Sequence, residues 1–271
     1  MPERAGGFET MRDFNASDRA KLPDQADGLR RLFAGARTRF VAVAANPDVA
    51  FAGLALERLA AAASVVATPE RRVLVVDAAA GAPHEMAAVD LAACIEPMAP
   101  QLDYLAARGL PLRHVDARGS CEGFLDAVEC AAPGTGVVIL HAPVSELGRL
   151  FARRPTVPLL LAADHPASVT AAYANMKLLA QRHGLMSFDL LLVAAATSPR
   201  TPRIAEQLAL TADRFAGAVL RDWAAIDPAA STEVPTALRR LVVGLLGDAA
   251  APMPTARAHV APDPRVRAVA P

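Results

Sequence analysis

Runs of uninterrupted apolar residues alternate with stretches of helical periodicity along most of this chain. The first run is residues 40–45 (FVAVAA), followed by a Pro-containing loop at 46–51 and an alanine-rich helix over about 53–64. A second strand is predicted at residues 72–77 (RVLVVD). Further apolar runs occupy residues 137–140, 157–162 and 190–194, separated by helical stretches such as 167–183 and 202–215. Strands that are apolar on both faces and alternate with helices predict one mostly parallel α/β sheet, covered by helices on both sides. Its crossovers are expected to be right-handed.

The ends differ from this pattern. Residues 1–23 are polar and aperiodic and read as a mobile tail. Over residues 24–36, Asp24 is placed to cap a short helix whose Leu29, Leu32 and Phe33 share one face. Residues 232–247 form a last amphipathic stretch with Val234, Leu238, Leu241, Val242 and Leu245 on one face and Arg239 and Arg240 on another. Beyond about residue 248 the chain is rich in Pro, Ala and Arg, and residues 249–271 are expected to be disordered. The α/β domain therefore spans about 38–248, and no internal repeat is visible.

Composition narrows the function classes. A hydrophobic fraction of 53% over 271 residues is enough for a large core, and a formal net charge of zero provides no global field toward nucleic acid. Lysine occurs only as Lys21 and Lys177, so any chemistry that needs a lysine has two candidates. Cys94, Cys121 and Cys130 form no framework of pairs, which fits a reducing, cytoplasmic setting. The charged N-terminus does not read as a signal peptide, and no uncharged apolar run is long enough for a membrane span. His84, His114, His141, His165, His183 and His259 show no metal-ligand spacing, and no metal is expected.

Four local patterns now carry a resemblance. Residues 24–30 (DQADGLR) fit a DQAxxLR motif, and residues 73–77 (VLVVD) fit a second-strand motif. Residues 164–177 (DHPASVTAAYANMK) fit a stretch written approximately PEPTSLTDAYALIK, and residues 214–217 (RFAG) fit RFxG. In this order and spacing they resemble the MinD-like flagellar number regulators called FlhG, over about residues 24–248. The resemblance implies a P-loop NTPase fold of MinD type. It also implies that residues 24–30 dock on a signal-recognition-type GTPase, FlhF, and stimulate its GTP hydrolysis. Asp24, Gln25, Ala26, Leu29 and Arg30 are then the partner-binding residues, with Leu29 as apolar anchor and Gln25 and Arg30 as the polar groups that reach a nucleotide site. Other flagellar components are further expected partners.

The nucleotide site departs from the family pattern GKGGVGKT. A phosphate loop needs glycines, a lysine for the β- and γ-phosphates and a hydroxyl for Mg²⁺. A gap-free match puts this loop on residues 46–53 (NPDVAFAG), beginning at Asn46. Pro47 then replaces the signature lysine, Ala52 the phosphate lysine, Gly53 the hydroxyl residue and Phe51 a cradle glycine. Asp48 adds a carboxylate where phosphates would sit. Of the switch carboxylates Asp77 remains and the second falls on Ala79. The Walker B aspartate falls on His141, a polar residue filling the Mg²⁺ position, and the adenine-reading asparagine falls on Ala194. The chain is therefore expected to bind neither ATP nor Mg²⁺ and to act as a pseudo-ATPase through its partners. An active but divergent ATPase, and a constitutive interaction or localisation protein without a GTPase partner, are the alternatives. In the resembled family a C-terminal amphipathic helix binds membrane. Two cations here give weak membrane affinity, so packing on the domain is expected, with any peripheral contact at the cell-pole membrane being weak.

Overall fold

The central strand is buried from both sides. Its residues Val41 to Ala44 alternate between two separate cores, so that Val41 and Val43 face one helical layer and Ala42 and Ala44 face the other. The computed structural model describes residues 38–67, 71–79, 90–195, 197–230 and 233–247. The expected tails 1–23 and 249–271 and the expected helix at 24–36 lie outside the described residues.

Eight strands form one sheet. They are β1 (Arg39–Ala44), β2 (Arg72–Asp77), β3 (Glu96–Ala99), β4 (Leu102–Ala106), β5 (Thr135–Ala142), β6 (Leu159–Ala163), β7 (Ser187–Val193) and β8 (Val219–Ile226). Their order across the sheet is β3-β4-β2-β5-β1-β6-β7-β8. All neighbours are parallel except β3, which runs antiparallel to β4 along one edge. The helices are α1 (Ala52–Val66), α2 (Glu122–Ala131), α3 (Val144–Leu150), α4 (Pro166–His183), α5 (Arg200–Thr211) and α6 (Thr236–Gly247). α1 and α6 cover one face of the sheet, and α2 to α5 cover the other. The expected mostly parallel α/β sheet with helices on both sides is therefore the observed architecture.

Several strands differ from the apolar runs that predicted them. β5 extends beyond residues 137–140 to include Thr135 and His141, both of which are buried. β8 carries Arg221 and Asp222 and reads as polar in sequence. Arg221 pairs with Asp189 of β7 at 2.5 Å, and Asp222 takes two hydrogen bonds from Arg240 of α6. Burial raises the Asp189 carboxyl above its usual range, an effect that the hydrogen bond from Arg221 partly offsets. β4 is disguised in the same way, because its Asp103 pairs with Arg72 of β2. Predicted helix 202–215 divides into α5 and a π-helical turn, Ala212–Ala216. The glycine of the RFxG match, Gly217, then takes a left-handed φ of 60° and turns the chain into β8.

The apolar face of the last helix is used internally. Leu238, Leu241, Val242 and Leu245 are buried in the core shared with α1, while Val234 packs at its margin. Each such side chain contributes about 1.5–3 kcal/mol when fully buried. The helix is thus packed on the domain. No helix among the described residues is long and apolar enough to cross a membrane.

The contact between α3 and α4 depends on the absence of a side chain. Gly148 is buried in α3, and a Cβ there would collide with the ring of His183, at the end of α4. Gly148→Ala is expected to push the exposed His183 ring aside and to lower unfolding stability by about 1 kcal/mol at most. His183→Ala in the same chain should recover part of that loss, measured by urea denaturation of the single and double variants.

Candidate functional site

Parallel α/β sheets gather ligands beyond the C-terminal ends of their strands. Here those ends bring together the segment after β1, the last residues of β2 and β5, and the start of α4. The segment 45–51 joins β1 to α1, which is the strand–loop–helix position of a phosphate loop. Residues 46–53 run from the end of β1 into the first turn of α1.

What fills this position is a set of internal hydrogen bonds. The Asn46 side chain is buried, and its Nδ2 donates to the carbonyls of Leu161 (2.8 Å) and Ser168 (2.9 Å). Its Oδ1 accepts from the Asp48 N–H at 3.0 Å, which curls the loop back on itself. The Ser168 hydroxyl accepts from the Ala163 N–H at 2.8 Å, and Asn175 donates to the Ala45 carbonyl at 2.9 Å. Val49 is buried beneath the loop, whereas Pro47, Asp48 and Phe51 are exposed. α1 begins without a side-chain cap, and its first turn contains Ala52 and Gly53 in place of a lysine and a hydroxyl. Lys177 is an exposed residue of α4, and Lys21 lies outside the described residues.

Asp77 and His141 meet as the strand register dictates, since they are paired positions on adjacent strands β2 and β5. His141 Nδ1 lies 2.9 Å from Asp77 Oδ1. A carboxylate only accepts, so Nδ1 carries the proton in this bond. His141 is 4% exposed, and its Nε2 makes no hydrogen bond to a described residue. Asp77 also accepts from the Ala79 N–H (3.1 Å) and from the Tyr104 hydroxyl (3.4 Å). Ala79 thus meets Asp77 through its backbone. Sequence reasoning missed Tyr104, because it reaches Asp77 from β4, a strand hidden by its own buried charge. Burial, together with the Asp77 charge and hydrogen bond, pushes the Tyr104 hydroxyl up to about 12.

Ala194 is buried just after β7, and its N–H bonds to the Ile226 carbonyl at 2.9 Å. Beside it a small cleft of about 120 Å³ lies between Arg58, Thr197, Ile226, Asp227, Glu233 and Pro235. No group of three or more potential metal-ligating His, Cys, Asp or Glu side chains occurs among the described residues. The residues at the loop and at the ends of β2 and β5 differ in kind from those that hold Mg-ATP in a phosphate-loop site. They provide no lysine and no hydroxyl in the first turn of α1, the carboxylate at the end of β2 is already engaged by His141 and Tyr104, and the loop adds the exposed carboxylate of Asp48.

The Asp77 cluster makes a spectroscopic prediction. The chain has two tyrosines, Tyr104 and Tyr173. In an ultraviolet titration one phenol should ionise near 12, and Tyr104→Phe should remove that step. Asp77→Asn should bring the step down toward the ordinary value of about 10, because it removes the repelling negative charge. A step unmoved by Asp77→Asn would contradict the cluster.

No protein-family model and no curated protein matches the chain. Solved structures do. The MinD cell division protein of Aquifex aeolicus superposes with a TM-score of 0.53 at 9% identity, covering 78% of this chain and 98% of that one. A plasmid partition protein from Borrelia burgdorferi B31, solved bound to AMPPNP, superposes with a TM-score of 0.52 at 9% identity, covering 77% and 98%. At these identities the likeness establishes architecture alone: the chain has the MinD-type P-loop NTPase fold.

Proposed function

We propose that this chain is a pseudo-ATPase regulator of flagellar number or placement that works by binding an FlhF-like GTPase and stimulating its GTP hydrolysis. The observation that carries the first half is the loop at the β1–α1 junction. Its Asn46 side chain is spent on internal bonds to β6 and α4, and no lysine or hydroxyl follows it. Each charged contact to a phosphate contributes about 1.5–3 kcal/mol, so the loss of the lysine and carboxylates together removes useful affinity. Asp48 further opposes phosphate approach by repulsion.

The second half rests on the sequence resemblance of residues 24–30, which needs no ATP to act. In this mechanism Leu29 anchors the segment in an apolar site on the GTPase, and Gln25 and Arg30 reach its nucleotide. The α/β domain serves as a rigid platform in the cytoplasm. A helix of this length is marginal when free in water and would order on binding.

The cleft beside Ala194 favours a second reading, a divergent ATPase that keeps a place for a base near Arg58. It supplies no replacement for the missing phosphate and Mg²⁺ groups. An interaction protein without a GTPase partner is the third reading, and the following assay separates it from the first.

Single-turnover GTP hydrolysis by an FlhF-like GTPase should accelerate when the full chain is added. Gln25→Ala should reduce the acceleration by removing a group that positions water or contacts phosphate. Leu29→Ala should weaken binding about tenfold or more through loss of a buried anchor. Asp27→Ala should behave as wild type, since the motif leaves that position free. Absence of acceleration at saturating concentration would overturn the activator mechanism.

A further inference from the structure

We propose that the outer edge of β8 is a pairing surface for a second copy of this chain, held shut by the Asp222–Arg240 ion pair. This goes beyond the pseudo-ATPase reading and stands independently of it.

A strand at the end of a sheet exposes a row of backbone N–H and C=O groups, a template on which another strand can add. The two end strands differ in how they meet this. β3 has four residues, contains Pro97 and pairs irregularly with β4. β8 has eight residues with neither proline nor lysine, and among the described residues its strand neighbour is β7. Its stretch 222–226 pairs regularly with β7. Ile226 turns its carbonyl toward β7, where it accepts from the Ala194 N–H at 2.9 Å. Backbone groups alternate sides along a strand, so Trp223, three residues earlier, turns its N–H and C=O to the open side.

Both of those groups are covered by one ion pair. The Trp223 N–H donates to Asp222 Oδ1 at 2.8 Å, and Arg240 Nη2 donates to the Trp223 carbonyl at 3.2 Å. Arg240 is held there by two further bonds to Asp222, 2.9 Å from Nε and 2.6 Å from Nη2. The Arg240 side chain is 62% exposed, so core packing does not account for its place. An ion pair this exposed adds little to stability. Its consequence is the closed edge.

The edge under this cover is compatible with its own copy. An antiparallel pairing across a two-fold axis through Trp223 bonds its N–H and C=O to those of Trp223 in the second chain. It sets Asp222 opposite Ala224 and Arg221 near Ala225, so no like charges face each other. That pairing needs the same two groups that Asp222 and Arg240 occupy. The chain therefore closes this edge or pairs it, and cannot do both.

Sedimentation velocity on the full chain tests this. Arg240→Ala should add a concentration-dependent assembly of twice the wild-type mass as loading is raised over about a hundredfold range. The Ala225 backbone faces the open side as Trp223 does, so proline there removes a donor that β7 does not use. Arg240→Ala combined with Ala225→Pro should therefore return to the wild-type mass. A folded Arg240→Ala chain that gains no assembly overturns the proposal, and so does an assembly that Ala225→Pro leaves intact. Wild-type amide hydrogen exchange, expressed as protection factors, gives a check that needs no variant. The Trp223 amide should be protected about tenfold or more over the Ala225 amide, which faces the same side without the Asp222 carboxylate. Equal protection of the two amides would overturn the guarding role of the pair.

Discussion

The burial of β1 between β5 and β6 is the constraint from which the rest follows. A strand flanked on both edges and covered on both faces leaves its backbone satisfied by parallel neighbours, and its side chains must be apolar on both sides. The chain leaving that strand emerges at the C-terminal edge of the sheet, where Asn46 is the first side chain able to make polar contacts. A buried amide there must find partners. It finds them in the Leu161 and Ser168 carbonyls, which fixes the loop against β6 and α4.

This changes what the edge of the sheet can do. A phosphate loop keeps its backbone donors open for a ligand and relies on a lysine to bring opposing charge. The loop here turns inward: one of its amides is spent on Asn46 itself, and one of its carbonyls on His165. The neighbouring carboxylate position is likewise closed, with Asp77 held by His141, Tyr104 and the Ala79 N–H. Polar groups that would serve a ligand in a working site serve one another. In the proposed function the fold acts as a platform, and the chemistry is passed to a partner.

Much of the architecture was legible because periodicity reports burial directly. β2 is read to the residue, and α4 within one residue, since continuous apolar runs and a 3.6-residue repeat leave little choice. β4 and β8 were not legible, because Asp103, Arg221 and Asp222 look like surface charges until their partners Arg72, Asp189 and Arg240 are known. β3 is a short exposed edge strand carrying Pro97, with no apolar signal. The short helices α2 and α3 were hidden in the same way by acidic positions, including Glu122, whose burial depends on Arg153. At the site, the missing lysine and hydroxyl were visible through the match to the resembled family's loop pattern. Asp77 and His141 were singled out only through the resemblance, and their pairing, like the contacts of Tyr104 and His165, required the strand register and the loop's path. Residues 24–30 lie outside the described residues, so their role rests on sequence.

The central claim is that the loop has exchanged a phosphate for internal hydrogen bonds, and titration calorimetry of the full chain with Mg-ATP tests it most directly. The account predicts no binding heat up to millimolar nucleotide, a range that corresponds to weaker than about −4 kcal/mol. Binding in the low micromolar range that is abolished by substitutions within residues 46–53 would contradict it.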